Sequence, residues 1–126
     1  MNLLSLEQLL EIHSLVVDIT GGGAGLRDLG RLEAAIATQT QNVFGEELYP
    51  DVIDKAAAMI RGIVADHPFV DGNKRTAMLA GLTLLAINNI HFGANPGDVE
   101  DFAVKVATDK LDVLTIILWL RHHASN

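Results

Sequence analysis

The chemistry of this chain is concentrated in His67-Pro68-Phe69-Val70-Asp71-Gly72-Asn73-Lys74-Arg75-Thr76. The run lies between the end of one expected helix and the start of the next. A helix start presents unpaired backbone N–H groups and the positive end of the macrodipole, so it attracts phosphate. Gly72 lets the backbone approach an anion closely and adopt positive φ. Lys74 and Arg75 place two full positive charges at that same end, where cations oppose the dipole unless an anion is bound. Asp71 suits a Mg²⁺ ion shared with phosphate oxygens and water. His67, held by the turn at Pro68, is placed as a general base, and Phe69 is expected to turn into the core and anchor the loop. Singly, each element has a folding explanation, since Asp-Gly-Asn is a common turn-and-cap run. Their coincidence with two cations at one helix start favours function.

The elements that must position these residues read as six helices and no convincing strand, an all-α bundle with a central buried helix. The first is expected over residues 5–18, opened by a Ser5/Gln8 capping box and striped by Leu6, Leu9, Leu10, Ile12, Leu15 and Val16. A second, over 28–38, buries Leu29, Leu32, Ala35 and Ile36. Residues 39–49 read as an irregular exposed loop. Pro50 opens a third helix that runs to 66 and ends before Pro68. The central helix, 73–89, carries Met78, Leu79, Leu82, Leu84, Leu85 and Ile87 around most of its circumference. Asn95-Pro96 starts a fifth helix to 108. Asp112 caps the last, from which Ile116, Ile117, Leu118, Trp119 and Leu120 are expected to pack inward.

A chain of 126 residues with 49% hydrophobic and 20% charged residues is expected to form one globular domain over 1–126. Its net charge of −7 and lack of a basic run argue against direct nucleic-acid binding. The absence of cysteine fits a reducing cytoplasm. Residues 1–11 carry no basic segment of the secretory type, and 76–97 is interrupted by Asn88, Asn89 and His91, so no membrane span is expected. The glycines of 21–25 follow no strand and precede no Lys-Ser/Thr pair, so they read as a flexible connection. His122 and His123 point apart on a helix and read as a solvated end rather than a metal site. His13 and His91 have no evident partner, and no role is assigned to them.

The central run resembles the Fic/Doc family, whose core motif is His-Pro-Phe-x-[Asp/Glu]-Gly-Asn-Gly-Arg-x-x-Arg. His67, Pro68, Phe69, Asp71, Gly72, Asn73 and Arg75 match it. Gly25-Leu26-Arg27-Asp28 and Glu46-Glu47-Leu48-Tyr49-Pro50 are similar to the Doc branch, and the resemblance spans about residues 5–120. Lys74 stands where nucleotidyl-transferring members carry a second glycine, and Met78 replaces their last arginine. Asn-Lys-Arg-Thr is shared with Doc-type death-on-curing toxins, although some of those place alanine at Gly72.

The resemblance implies a toxin of a toxin–antitoxin pair. It would act as a kinase that moves the γ-phosphate of ATP to a Ser or Thr hydroxyl of a translation factor, such as an elongation factor. His67 would be the general base and Asp71 would hold Mg²⁺. Gly72, Asn73, Lys74 and Arg75 would bind phosphate. Residues 39–49 fall where the family carries a flap that docks the target by strand-like pairing. The family's inhibitory [Ser/Thr]-x-x-x-Glu-[Gly/Asn] motif is absent, so inhibition is expected in trans from an antitoxin. The alternatives are a Fic-type protein adenylyltransferase using the same histidine, and a catalytically silent antitoxin-binding module.

Overall fold

A computed structural model describes residues 1–125; Asn126, the last residue of the expected domain, lies outside the described residues. Six helices dominate it: α1 (Leu6–Thr20), α2 (Leu29–Ala37), α3 (Val52–Asp66), α4 (Asn73–Ala86), α5 (Pro96–Thr108) and α6 (Val113–His123). The expected all-α bundle is therefore present. The local signals that open the helices act as expected. The Ser5 hydroxyl and Gln8 side chain form the capping box of α1, and Asp28, Asp51 and Asp112 each accept an amide of the first turn of their helix. Because Asp51 takes the cap of α3, Pro50 sits just outside the helix rather than within its first turn.

The centre is the antiparallel neighbourhood of α3 and α4. Lys55 through Ile60, Ile63 and Val64 are buried on α3, and Ala77, Met78, Ala80, Gly81, Leu84 and Leu85 on α4. The Ile60 side chain of α3 packs directly onto Gly81 of α4, where a Cβ would lie 2.5 Å from Ile60 Cδ1. Helix α4 ends at Ala86 rather than 89, because Asn89 turns left-handed (φ 62°) and the Asn88 side chain donates to the Leu84 carbonyl. On α6 only Ile116 and Leu120 are fully buried, while Leu118 is exposed. Consecutive residues lie 100° apart on a helix, so five in a row cannot share one face. Leu10, Leu15 and Leu29 are likewise exposed, just off the buried stripes.

Short strands correct the strand-free expectation. Residues 39–49 are not irregular: β1 (Asn42–Val43) and β2 (Glu46–Glu47) form a hairpin, with Asn42 opposite Glu47 and Val43 opposite Glu46. Phe44 and Gly45 turn it with φ of 53° and 83°, the two positive values of a tight primed turn. The Phe44 ring stands fully in solvent at the tip. A second ribbon pairs β3 (His91–Phe92) with β4 (Ala124–Ser125) and closes the far end. Among the described residues no helix is long and apolar enough to cross a membrane.

The base of the first hairpin is rooted by two buried polar residues. Gln39 exchanges hydrogen bonds with the Leu4 backbone and donates to the Ile36 carbonyl. Lys55, 2% exposed on α3, donates to the carbonyls of Gln39 (2.6 Å) and Tyr49 (2.7 Å) and to Glu47 Oε1 (2.8 Å). All three ammonium hydrogens are thus used. Replacing Lys55 with Met keeps the stem's packing but orphans two carbonyls and a carboxylate. Lys55→Met should lower unfolding free energy by about 2 kcal/mol in urea titration. It should also speed amide exchange selectively in the hairpin.

Candidate active site

The sequence-predicted residues lie on the link between α3 and α4, at one end of the central helix pair. Helix α3 stops because His67 adopts left-handed φ and ψ (50°, 59°), with its N–H still bonded to the Ile63 carbonyl. Proline at 68 disfavours a further helical residue. The helix end is then closed from outside. Arg27 Nε donates to the His67 carbonyl (2.8 Å), and Arg27 and Arg31 both donate to the Asp66 carbonyl. Two cations at a helix C-terminus also complement its dipole.

Beyond His67 the link is stitched to the segment before α2. The Pro68 carbonyl accepts the N–H groups of Arg27 and Asp28, and Val70 N–H donates to the Gly25 carbonyl. Phe69 is 1% exposed, as expected of an anchor. Its N–H donates to Asn73 Oδ1 and its carbonyl accepts from Asn73 Nδ2, both at 3.0 Å. The Asn73 side chain is therefore committed to holding Phe69, which leaves its backbone N–H as the group available to an anion.

Asp71 is clamped as a carboxylate. Oδ2 accepts Gly23 N–H (3.2 Å) and Oδ1 accepts Gly72 N–H (2.8 Å), and these two bonds, Gly23's first, hold its pKa below the usual aspartate value. The glycine segment is thus more than a flexible connection, because it reaches across to the acid. A Cβ on Gly22 would lie 2.8 Å from Asp71 Oδ2. Gly72 follows with φ 76° and gives α4 no side-chain cap. Lys74 is exposed and has no ion pair among the described residues, while Arg75 leans 3.5 Å from Glu100 of α5 across an exposed contact. Exposed pairs of this kind contribute little and exchange readily.

His67 is exposed, and its ring makes no hydrogen bond among the described residues. It lines a cleft of about 250 Å³ with Arg61, Val64, Val106, Lys110 and Leu111, and neither Asp71, Lys74 nor Arg75 lines that cleft. The structure therefore gathers Asp71, Gly72 and Asn73 tightly at the start of α4. It leaves the charged tips of Lys74 and Arg75, and the imidazole of His67, free to move toward a ligand.

Sequence reasoning missed three contributors: His13, Gly23 and Arg27. His13, left without a role, is 6% exposed and lies on the link. Its Nε2 is 2.8 Å from the Asp71 carbonyl, and its ring stacks on Phe69 at 3.8 Å. The available signal was a histidine on the buried stripe of α1, four residues after Leu9 and three before Val16, where an apolar residue would ordinarily stand.

Residues 3–85 match the family model described as "Fic/DOC family". The chain is 41% identical over 98 residues to "Toxin Doc" of Mycolicibacterium smegmatis, covering 76% of this chain and 75% of that protein. It is 31% identical over 118 residues to "Protein kinase doc" of Escherichia phage P1, covering 94% and 92% respectively.

The clamp on Asp71 makes a pH prediction. A lowered carboxyl pKa stabilises the fold above the ordinary aspartate pKa, and that contribution is lost as pH falls through the lowered value. Carboxyl-detected NMR titration should place Asp71 below the ordinary aspartate value. In Gly22→Ala, where the new methyl displaces Oδ2 from Gly23, the Asp71 midpoint should rise toward that value.

Proposed function

The chain belongs to the Fic/Doc family, and from that premise we propose that it is a Doc-type toxin acting as a protein kinase. It moves the γ-phosphate of ATP to a Ser or Thr hydroxyl of a translation factor. The observation that carries this reading is the start of α4: an uncapped helix N-terminus, an ionised carboxylate clamped beside it, and the free Lys74 charge. Such a constellation neutralises a phosphoryl group in transfer. A toxin and a protein kinase among the similar proteins support the same branch. Lys74 and Met78, standing where nucleotidyl-transferring members carry glycine and arginine, favour it over AMP transfer.

In this reading His67 takes the proton of the target hydroxyl. The freed oxygen attacks the γ-phosphorus, and the bond to the β-phosphate oxygen breaks to release ADP. The backbone N–H groups of Asn73 to Arg75, with the Lys74 and Arg75 side chains, hold the phosphates. Asp71 fits Mg²⁺, because each carboxylate oxygen accepts a single N–H and the group is exposed. No group of three or more metal-ligating side chains gathers among the described residues, which suits an ion held by one carboxylate, phosphates and water. Such an ion would neutralise charge on the phosphates when bound.

Two surfaces serve the partners of this reading. The hairpin tip, with Phe44 in solvent, would seat the target segment by adding a strand. The apolar cleft among Val16, Ile19, Met78, Leu79, Val99 and Ala103, closed at one edge by Arg75 and Glu100, would receive an antitoxin helix and so inhibit in trans.

Bacterial lysate incubated with the purified chain and ATP labelled at either the γ- or the α-phosphate tests the reaction, with His67→Ala beside it. Protein label arriving only from the γ position, and falling at least a hundredfold in His67→Ala, is the expected result. Label from the α position would mean AMP transfer. No His67-dependent label from either position would leave a binding module.

A further inference from the structure

We propose that His13, on α1, is a positioning residue for the phosphate-binding end of α4, acting through the Asp71 carbonyl. The proposal rests on the kinase reading above for its functional consequence, though the contact itself does not.

The chemistry of the contact is fixed by the acceptor. A carbonyl oxygen can only accept, so the His13 Nε2 that lies 2.8 Å from it must carry a proton. The ring is buried and lies flat on Phe69, with centroids 3.8 Å apart and planes 6° apart, so it has no freedom to turn away. The bond it makes spans 58 residues of sequence and ties α1 to the link.

What His13 holds is one peptide plane. The carbonyl of the Asp71–Gly72 peptide donates nothing and points to His13, while the N–H of the same peptide points to Asp71 Oδ1. Both ends of the plane are therefore held, one by α1 and one by the acid itself. The next torsion is the positive φ of Gly72, which sets the direction in which the amides of Asn73, Lys74 and Arg75 emerge. Val16, one turn further along α1, fits the same turn: a Cβ on Gly72 would be 3.4 Å from its Cγ1. Release of the Asp71 carbonyl leaves the plane held at its N–H end alone, so it can tilt and misdirect the amides, even though His13 itself touches no phosphate. A misplacement of about 1 Å costs up to about a hundredfold in rate.

Three variants separate positioning from packing. His13→Phe keeps the stacked ring and loses the donor, His13→Gln keeps a donor and loses the ring, and His13→Ala loses both. Each is measured for thermal midpoint, for kcat and KM in the γ-phosphate transfer assay, and for affinity toward ATP without magnesium. Positioning predicts that His13→Phe stays folded, with its thermal midpoint lowered by only about 2–5 °C for the one lost hydrogen bond. It also predicts a roughly ten- to hundredfold lower kcat with little change in target KM, and weaker ATP binding. His13→Gln should recover part of the loss. A His13→Phe protein with wild-type kcat and wild-type ATP affinity would overturn the proposal.

A readout independent of activity is ¹⁵N NMR of the wild-type chain. A slowly exchanging His13 Nε2–H with scalar coupling to the Asp71 carbonyl carbon supports the proposal even if His13→Phe unfolds. The opposite tautomer, or a rapidly exchanging Nε2–H, overturns it. If the wild-type chain transfers no phosphate, the kinase reading fails, while ATP affinity and the NMR coupling still decide the role of His13.

Discussion

The site depends on one constraint: residues 67–72 must leave one buried helix and enter another without regular structure, and their backbone polar groups still need partners. Nearly every partner comes from elsewhere in the chain. Arg27 covers the His67 carbonyl, and its own N–H joins that of Asp28 on the Pro68 carbonyl. Asn73 covers both groups of Phe69, Gly25 accepts from Val70, and His13 reaches the Asp71 carbonyl. Each of these bonds is modest alone, about 1 kcal/mol net. Left unmade, each would strand a group that the helices on either side cannot satisfy. Helix α1, the glycine segment and the start of α2 therefore support the candidate site, although none of them carries the groups proposed to bind phosphate or move the proton.

This arrangement separates the groups that hold the link from the groups proposed to act on a ligand. Phe69, Asn73 and His13 are buried, while His67, Lys74 and Arg75 are exposed. Phe69 and Asn73 belong to the α3–α4 pair and its link, the pair on which the Ile60 side chain packs against Gly81, and His13 braces them from α1. Lys55 applies the same logic to the hairpin, where a buried ammonium with three acceptors fixes the root and leaves the Phe44 tip in solvent. The groups proposed to react or make contact thus sit at the ends of buried supports, where they can meet a ligand without the support moving.

What was legible in the sequence follows from range. Helix starts were readable because the capping residue and the amide it bonds are three positions apart, as at Ser5 and Gln8 or Asp112 and Thr115. The candidate site residues stand out in the sequence because they are consecutive. The hairpin does not, since its strands are two residues long and its turn is Phe-Gly rather than Asn-Gly or Asp-Gly. His13 and Gly23 escape for a related reason: their bonds to Asp71 span 58 and 48 residues, and the stripe position of His13 marks it as buried without naming what it bonds. On α6 the expectation fails for a different reason: consecutive apolar residues are turned 100° apart, so only Ile116 and Leu120 are fully buried.

The start of α4 shows why a fold tolerates a site that opposes its own helix. Gly72 forgoes a side-chain cap, which costs only a few tenths of a kcal/mol relative to Ser or Asp. Lys74 and Arg75 against the dipole add about 0.3–1 kcal/mol each. A serine or aspartate at position 72 could not recover the cap in place, because its φ of 76° lies outside the extended region that capping residues adopt. The turn that Gly72 makes, the absent cap and the misplaced cations are thus one structural decision. Its cost, about 1–2 kcal/mol in all, is of the order of a single well-buried leucine side chain. Leu84 and Leu85, both without exposed surface, lie near the opposite end of the same helix. A helix held so firmly by its buried end can keep its other end uncapped, cationic and open to an anion.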